Sequence, residues 1–249
     1  MNILINGLLG YMGKEVERLC RDCYLGACLA YGVDPLLERN EEKGFFSSLY
    51  DIPDTSKIDC IVDFSHHLGT DALLRFATSN KLPLVIATTG HTNDEARAIT
   101  LASGDIPIFC SANMSFGTAY LAELSKKVAR VFPDAEIEII EKHHNRKYDS
   151  PSGSALMLFE AIREVRPESY AVYGRCGRDK RKRDEIGIHS IRMGNTVGEH
   201  EVIIGNDYET FTLRHTVHSR ALFAKGALLA AKFLTKSKAG LYGMQSLIS

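Results

Sequence analysis

Short, continuously apolar runs alternate with longer segments of mixed polarity in the first part of the chain. The runs predict β-strands at residues 2–6, 27–33, 60–64, 83–87 and 106–110. Helix-length segments lie between several of them, at residues 10–21, 69–80 and 93–103. Strands without alternation are typical of a parallel sheet whose two faces are both covered by helices. The pattern therefore predicts a doubly wound α/β domain, in which the more polar stretch 38–57 forms a loop that can hold a short helix.

The second part of the chain has a different pattern. A long helix is predicted at residues 115–131, where apolar residues recur at helical spacing. Alternation of polar and apolar residues then indicates strands with one exposed face, at residues 136–140, 185–191, 199–204 and 210–217. Further helices are predicted at residues 155–165 and 220–235. We expect two domains: a nucleotide-binding domain over residues 1–114, completed by 220–249, and an α+β domain with an open mixed sheet over 115–219.

The composition narrows the classes of partner. With a net charge of −1 over 249 residues, the chain offers no electrostatic reason to bind nucleic acid or a membrane surface. No apolar segment approaches the roughly 20 residues that span a bilayer, and no secretory signal is evident. The six cysteines lie mostly in apolar stretches, which indicates reduced thiols and a cytoplasmic protein. Cys20 and Cys23 form a single C-x-x-C pair without a second one, which is weak as a redox or zinc motif.

Glycines at positions 7, 10 and 13 directly follow the first predicted strand. A dinucleotide-binding turn needs such glycines, because the backbone must leave the strand tightly and let a pyrophosphate approach the helix N-terminus. The alternative is an ordinary tight strand–helix turn. On the first interpretation the cofactor contacts the turn residues Gly7, Leu8, Leu9, Gly10, Tyr11 and Met12.

Further cofactor contacts are expected where the other strands end, because ligands of open α/β sheets lie beyond the carboxyl ends of the strands. Asp34 ends the second strand, where a carboxylate can bind an adenosine ribose and repel a 2′-phosphate. It favours NADH at least as much as NADPH, although Asp34 also fits a simple turn before Pro35. His66 and His67 follow the third strand; they could line the cleft, but they are interpreted as solvated loop residues. Later strand ends contribute Ala87, Thr88, Thr89, Ser111, Ala112, Asn113 and Met114.

Residues 141–155 concentrate the candidate chemistry. The first half of this loop carries the titratable residues His143, His144 and Lys147. The second half carries a Pro-Ser-Gly-Ser turn, whose backbone donors can hold an anion at the start of the next predicted helix. Each of these residues alone is commonly structural or solvated, but together they indicate chemistry on an acidic small molecule. A metal site is not expected, because no nearby cluster of cysteines or carboxylates completes a ligand set.

The chain resembles the dihydrodipicolinate reductase family. The pattern Glu-x-His-His-x-x-Lys-x-Asp-x-Pro-Ser-Gly over residues 141–153 is highly specific for that family. The resemblance runs nearly end to end and also covers residues 7–13, 63–65, 88–90, 113, 115, 185–189, 198–200 and 240–242. Tyr11 stands where the family usually has arginine, which weakens the case for binding a 2′-phosphate. The other departures are small local changes, at Ala87, Ala112, Met114, Ser150 and Ser154.

The resemblance implies a Rossmann-type domain, a substrate-binding domain and a reductase of the diaminopimelate and lysine biosynthesis pathway. The family's reaction transfers hydride from NADH or NADPH onto 4-hydroxy-tetrahydrodipicolinate, a cyclic dicarboxylate, with loss of the 4-hydroxyl as water. By resemblance, His143 and Lys147 share proton donation and charge stabilisation, and their division of the proton stays open. The resemblance also implies that His144 contacts the substrate. Gly153 and Ser154 open the next predicted helix, whose start suits a substrate carboxylate. Arg220, near the return from the second domain, is a partner for the other carboxylate or a hinge contact.

The resemblance also implies assembly and motion. Family members form tetramers through the sheet of the second domain, so a homotetramer is expected here. Hydride transfer requires the two domains to close, which predicts hinges near residues 113–115 and 218–221.

Two other functions stay open on the sequence alone. One is a dehydrogenase of similar architecture, such as a relative of aspartate dehydrogenase or homoserine dehydrogenase. The other is a non-catalytic redox sensor that binds NAD(H), which would leave His143 and Lys147 without a purpose. The basic run 175–183 lacks the interleaved aromatic residues of a nucleic-acid patch and is interpreted as a mobile, solvated loop.

Overall fold

The computed structural model describes residues 1–248. The chain divides into two compact units: the first comprises Met1–Ser115 and the segment that begins at Ala221, and the second comprises Phe116–Arg220. Each unit has its own sheet and its own hydrophobic core. Helices and strands are numbered in chain order through both units.

The first unit is built on a sheet of seven strands. These are β1 (Asn2–Asn6), β2 (Cys28–Val33), β3 (Phe45–Phe46), β4 (Cys60–Asp63), β5 (Leu84–Ile86), β6 (Pro107–Cys110) and β12 (Gly240–Tyr242). The helices are α1 (Tyr11–Arg21), α2 (Thr70–Ser79), α3 (Asn93–Ala102) and α6 (Ala221–Leu234). All neighbouring strands pair in parallel, in the order β12-β6-β5-β4-β1-β2-β3. Short 3₁₀ turns lie at Tyr24–Gly26, Leu49–Asp51, Thr55–Lys57, His67–Gly69 and Met244–Leu247.

The central strands of this sheet are buried on both faces. Residues 3–5 of β1, all of β4 and all of β5 are buried, as continuously apolar strands should be. Side chains of α2 and α3 complete the core around them. The sequence-based prediction of a helix-covered parallel sheet is therefore confirmed.

Two strands of the sheet were not predicted. β3 lies in the stretch 38–57, for which a loop with a short helix was expected. Phe46 is buried there and packs edge-on against Tyr31, with ring centroids 5.8 Å apart. β12 lies in the predicted tail, where Tyr242 packs against Phe233 with ring centroids 5.2 Å apart. Both are edge strands of two or three residues, too short to produce a periodic pattern.

The second unit carries an open, mixed sheet of five strands. These are β7 (Glu136–His143), β8 (Tyr170–Tyr173), β9 (Glu185–Arg192), β10 (Gly198–Gly205) and β11 (Thr210–Val217), and the helices are α4 (Phe116–Val131) and α5 (Gly153–Arg163). The order is β11-β10-β7-β9-β8, in which β7 pairs in parallel with β9 and antiparallel with β10. Both helices bury apolar side chains against alternate residues of the strands. The predicted α+β architecture is confirmed.

Three features of this unit differ from the expectations. β7 continues three residues beyond the predicted end, because the alternation persists through Glu141 and His143. β8 was not predicted, because it is a half-exposed edge strand with little contrast between its faces. The basic run 175–183 is not a free loop: Arg175 pairs with Glu185, and the side chain of Arg181, which is 15% exposed, donates to the Ile137 carbonyl oxygen at 3.3 Å.

Among residues 1–248, no helix has both the length and the apolar character needed to cross a membrane.

Candidate functional site

Two glycines at the turn between β1 and α1 have no room for a side chain. Gly7 has a φ of +86°, and a methyl group on it would lie 2.6 Å from the Phe64 carbonyl oxygen. A methyl group on Gly13 would lie 2.1 Å from the Gly7 carbonyl oxygen. The N–H groups of Gly7 and Leu8 both donate to the Val33 carbonyl oxygen, at 2.8 and 3.1 Å, which fixes the turn against the end of β2. These contacts require glycine at both positions.

A cleft of about 440 Å³ opens beside this turn, at the carboxyl ends of β1, β2 and β4. Gly7 and Gly10 line one side of it and Asp34 another. The Asp34 carboxylate accepts hydrogen bonds from the N–H groups of Leu9 (3.2 Å) and Leu36 (3.1 Å), so it is held at the rim of the cleft. Sequence reasoning missed Ser47 and the neighbouring Ser48, which also line the cleft, because the β3 region gives no pattern.

The start of α1 beside the cleft suits the phosphate groups of a nucleotide. Gly10 is the N-cap of α1 and provides no side-chain cap, and the positive end of the helix dipole at this position favours phosphate oxygens. The first turn of α1 contains no acidic residue that would repel them. A Cβ at Gly7 or Gly13 would clash with neighbouring backbone atoms, so the turn has this shape only with glycine at both positions.

The other predicted cofactor residues fall into two groups. The side chains of Leu8, Ala87 and Met114 are buried, so these residues can offer only backbone atoms to a ligand. Thr88 is also buried, but its hydroxyl lies just beyond the end of β5. The remaining members are partly or fully exposed: Leu9, Tyr11, Met12, Thr89, Ser111, Ala112 and Asn113. The Ser111 hydroxyl donates to the Asn113 carbonyl oxygen at 2.9 Å, which shapes the loop after β6.

A buried carboxylate ties three strand ends of the first unit together. Asp63 is 2% exposed, and its carboxylate accepts from the side chains of Asn6 (2.8 Å), Ser65 (2.6 Å) and Thr88 (2.7 Å). Burial raises the pKa of Asp63, while these hydrogen bonds act in the opposite direction. Thr88 is therefore held in place by a network that the sequence did not reveal.

Of the two histidines after β4, His66 is exposed as expected, whereas His67 is partly buried and has a charged partner. His66 lines the cleft, and its Nδ1 accepts from the Leu68 N–H at 3.3 Å. His67 Nδ1 lies 3.0 Å from Glu95, which also caps the start of α3 through Thr92. Hydrogen bonds from the Thr92 N–H and from His67 lower the pKa of Glu95 to about 2. Both histidines therefore have structural partners.

The second unit presents a buried histidine–carboxylate pair at the end of β7. Glu141 and His143 are two residues apart on an extended strand, so they lie on the same face of the sheet. His143 Nδ1 lies 2.5 Å from Glu141, whose side chain has no exposed surface. Arg192, directly beside His143 in the register of β9, donates to both Glu141 oxygens at 2.8 and 2.7 Å. Burial alone would raise the pKa of Glu141, but hydrogen bonds from His143 and Arg192 hold it well below its ordinary value.

This pair leaves the other ring nitrogen of His143 available for chemistry. Because Nδ1 is occupied by Glu141, the imidazole can exchange a proton only through Nε2. A methyl group on Gly198 would come within 3.2 Å of Nε2, so glycine at this position keeps the approach open. The His143 side chain is 10% exposed, which shields this nitrogen from bulk water.

The amino end of α5 lies beside the same carboxylate. Ser152 is its N-cap, with its hydroxyl oxygen accepting from the Ala155 N–H at 3.2 Å. The Ser152 N–H donates to Glu141 at 3.1 Å, which joins this helix end to the His143 pair. A methyl group on Gly153 would meet no atom within 4 Å, so the space in front of the helix is open. The positive end of the helix dipole makes that space suitable for a carboxylate.

Two basic groups flank the helix end. Lys147 Nζ lies 2.7 Å from Asp149, and hydrogen bonds from Lys147 and from the Gly153 N–H hold the pKa of Asp149 below its ordinary value. Arg220 donates to His144 Nε2 at 3.3 Å. Burial, followed by the nearby Arg146 and Arg220 guanidinium groups, lowers the pKa of His144 and favours its neutral form. The segment therefore already holds one carboxylate, that of Asp149, on Lys147 and the helix end.

The structure thus brings His143, His144, Lys147, Gly153, Ser154 and Arg220 to one end of the second unit. Sequence reasoning missed their partners Glu141, Arg192, Ser152 and His200. Glu141 had a detectable signal, since a residue two positions before His143 on a strand must share its face. Arg192 had none, because it reaches the site only through strand register. His200 lies in the segment 198–200 that carries the family resemblance, but nothing there indicated its contact with Ser152. Among residues 1–248, no group of three or more His, Cys, Asp or Glu is arranged to hold a metal ion.

Comparisons with known proteins cover the whole chain. Residues 1–114 match the family model "Dihydrodipicolinate reductase, N-terminus", and residues 117–248 match "Dihydrodipicolinate reductase, C-terminus". The 4-hydroxy-tetrahydrodipicolinate reductase of Caldanaerobacter subterraneus is 43% identical over 254 residues, covering 100% of this chain and 98% of its own. The Clostridium tetani protein of the same name is 38% identical over 253 residues, with coverage of 100% and 97%.

Solved structures agree with these relatives. The dipicolinate-bound dihydrodipicolinate reductase from Paenisporosarcina sp. TG-14 superimposes with a TM-score of 0.84 at 25% identity, covering 99% of each chain. A probable dehydrogenase from Thermotoga maritima has a TM-score of 0.64 at 11% identity, covering 98% of this chain and 92% of its own. At that identity the second likeness concerns the fold alone.

Proposed function

This chain belongs to the dihydrodipicolinate reductase family, and we propose that it reduces 4-hydroxy-tetrahydrodipicolinate to tetrahydrodipicolinate with a nicotinamide nucleotide as hydride donor. The observation that carries the proposal is the placement of the buried Glu141–His143 pair against the amino end of α5. A proton donor and a carboxylate-binding helix end within one framework suit the reduction of a small dicarboxylate. The relatives' shared name over the full chain length favours this substrate over those of the rival dehydrogenases.

The first unit holds the nucleotide in this proposal. Gly7 and Gly10 and the first N–H groups of α1 would bind the pyrophosphate, and Asp34 would bind the adenosine ribose. The bound nucleotide supplies the hydride. Thr88, fixed by Asp63, lines the same edge of the sheet, where small and hydroxylated residues leave room for a flat ring.

Asp34 should decide the choice between the two nucleotides. We expect the wild type to use NADH at least as well as NADPH, because a fixed carboxylate repels a 2′-phosphate. Replacing Asp34 with asparagine keeps one acceptor oxygen but removes the charge. We expect the kcat/KM for NADH divided by that for NADPH to fall about tenfold, because the substitution removes the repulsion between the carboxylate and the 2′-phosphate of NADPH. Steady-state kinetics with both nucleotides measure it, and an unchanged ratio would remove Asp34 from this role.

The second unit supplies the proton and holds the substrate. His143 donates its Nε2 proton while Glu141 accepts from Nδ1 and stabilises the imidazolium. The overall reaction consumes one hydride and one proton and releases the 4-hydroxyl as water. The open Nε2 side, kept clear by Gly198, is where the substrate must approach.

Substrate carboxylates have two sets of partners. One set is the amino end of α5 with Gly153 and Ser154, together with Lys147, which now pairs with Asp149. The other is Arg220 with His144. Lys147 also stabilises the negative charge that hydride delivery places on the ring. A substrate carboxylate would replace Asp149 as the anion between Lys147 and the helix end.

Binding of dipicolinate tests the dicarboxylate site without turnover. Dipicolinate is the ligand of the Paenisporosarcina structure. Calorimetric titration of the full chain should show binding, with a Kd about tenfold higher in Ser154→Ala and in Arg220→Ala, since each removes one hydrogen-bond donor. The matched surface variant Arg163→Ala should bind as the wild type does. Binding that both site variants leave unchanged would contradict the assignment.

The family assignment also bears on the oligomeric state of the protein. We propose a homotetramer formed through the face of the second sheet that neither α4 nor α5 covers. That face carries half-buried residues, including Ile140, Lys142 and Ile203. Sedimentation analysis should give the mass of four chains, and a concentration-independent monomer would overturn it.

All six cysteines are free, three of them exposed, which supports placing the protein and its lysine-pathway reaction in the reducing cytoplasm.

A further inference from the structure

His200, on β10, lies inside the second unit with an unusual set of contacts. It is 3% exposed, and its Nε2 lies 3.1 Å from the Ser152 hydroxyl. Its Nδ1 is buried and has no hydrogen-bond partner among residues 1–248. Its ring meets that of His143 edge-on, with centroids 5.2 Å apart. Burying a histidine nitrogen without a hydrogen bond lowers the stability of the fold. A residue retained at that cost is a candidate for a functional role, and its one hydrogen bond, made by Nε2, indicates where to look.

That contact falls on Ser152, which joins two parts of the candidate site. The Ser152 hydroxyl oxygen accepts from the Ala155 N–H as the N-cap of α5, and its N–H donates to Glu141. Glu141 in turn holds His143. The hydroxyl proton of this buried serine needs an acceptor, and His200 Nε2 is the acceptor within reach.

We propose that His200 is a positioning residue that orients Ser152, and through it aligns the amino end of α5 with the His143–Glu141 pair. The chain of contacts runs from His200 to the Ser152 hydroxyl, and from the Ser152 N–H through Glu141 to His143. The inference rests on the proposed function, because it assigns the helix end to a substrate carboxylate. His200 touches neither the substrate nor the nucleotide in this role.

The charge state of His200 agrees with it. Burial, reinforced by the nearby His143, lowers the pKa of His200 to about 4. At neutral pH the ring is therefore uncharged and can accept the serine proton. The two histidines have different roles: His143 is paired with a carboxylate and can carry a proton, whereas His200 stays neutral.

Three substitutions at this position separate orientation from packing. His200→Gln places an amide near the Nε2 position and can still bond Ser152, whereas His200→Asn is too short and His200→Leu has no polar atom. His215→Leu is the matched control, because His215 lies directly opposite His200 on β11 and bonds Thr118 rather than Ser152. The readouts are the Kd for dipicolinate, the KM for the dicarboxylate substrate and the KM for NADH.

His200→Leu and His200→Asn are expected to raise the dipicolinate Kd and the substrate KM about tenfold, the effect of one lost hydrogen bond. His200→Gln and His215→Leu should stay within roughly twofold of the wild type, and the KM for NADH should not change in any of them. If His200→Leu fails to fold, the test rests on the comparison of His200→Asn with His200→Gln. In a Ser152→Ala background, His200→Asn should add no further loss, because the contact it breaks is already absent.

Equal losses in the Gln and Asn variants, or additive losses with Ser152→Ala, would mean that His200 only fills space and would overturn the proposal. A wild type that binds dipicolinate with no loss in any His200 variant would overturn it while leaving the proposed function intact. A wild type that neither binds dipicolinate nor turns over substrate would remove the proposed function, and this inference with it.

Discussion

Replacing His143 with glutamine is expected to lower kcat by about 10²- to 10⁴-fold, the usual contribution of a positioned general acid. Glutamine keeps a polar group of similar length beside Glu141 but cannot deliver a proton. The nucleotide site lies in the other unit, so the affinity for NADH should not change. Single-turnover and steady-state kinetics with saturating nucleotide measure the loss.

A matched control for this substitution lies in the same sheet. His189 also pairs with a carboxylate, its Nε2 lying 2.8 Å from Glu138 on neighbouring β7. It belongs to a half-exposed pair on the face of the sheet opposite to that of Glu141. His189→Gln should leave kcat unchanged. Equal losses in the two variants would show that disturbing the sheet, rather than removing a proton donor, lowers the rate.

Replacing Glu141 with alanine is expected to lower the free energy of unfolding by about 3–5 kcal/mol, because the change leaves a largely buried arginine without its partner. The Arg192 side chain is 18% exposed, and both of its terminal nitrogens bond Glu141. The same variant loses the group that orients His143, so activity should fall together with stability. Urea unfolding of the wild type and the variant at neutral pH gives the difference.

The pH dependence of that difference has a definite sign. The pKa of Glu141 is lowered in the folded state, so its stabilising effect is complete above the ordinary glutamate pKa of about 4.3. It is lost as the pH falls toward the lower folded-state pKa. The difference between wild type and variant should therefore be constant from neutral pH to about pH 5 and shrink below about pH 4. Glu160→Ala, which removes an exposed pair with Arg163, should change stability little at any pH, and a Glu141 effect of similar size would contradict the buried ion pair.

Much of the fold follows from local pattern. Continuous apolar runs such as residues 60–64 predict strands buried on both faces, and alternation such as 136–140 predicts strands of a half-covered sheet, because burial imposes those patterns. The strands that escaped prediction are short edges, β3, β8 and β12, where few side chains are buried and neighbouring strands provide most of the stabilisation. Their existence depends on partners that a local window does not contain.

The candidate site divides in a similar way. His143, Lys147 and the Pro-Ser-Gly-Ser turn stand within one short segment and could be predicted together. The partners that orient them come from distant strands: Arg192 reaches Glu141 through the parallel register of β7 and β9, and His200 lies opposite Glu141 through the antiparallel register of β10. Strand register is a property of the assembled sheet, so the spacing of these residues along the chain carries no sign of it.

Oxidation of NADH and NADPH by the full chain tests the assigned reaction most directly. The substrate is generated in the cuvette by the preceding enzyme, which condenses pyruvate with aspartate semialdehyde. A His143→Gln, Lys147→Ala double variant is run beside the wild type. The expected result is nucleotide oxidation that depends on both precursors, yields tetrahydrodipicolinate and is abolished in the double variant. A wild type that binds NADH but oxidises none with this substrate would contradict the assigned reaction, and turnover that survives in the double variant would contradict the assigned site.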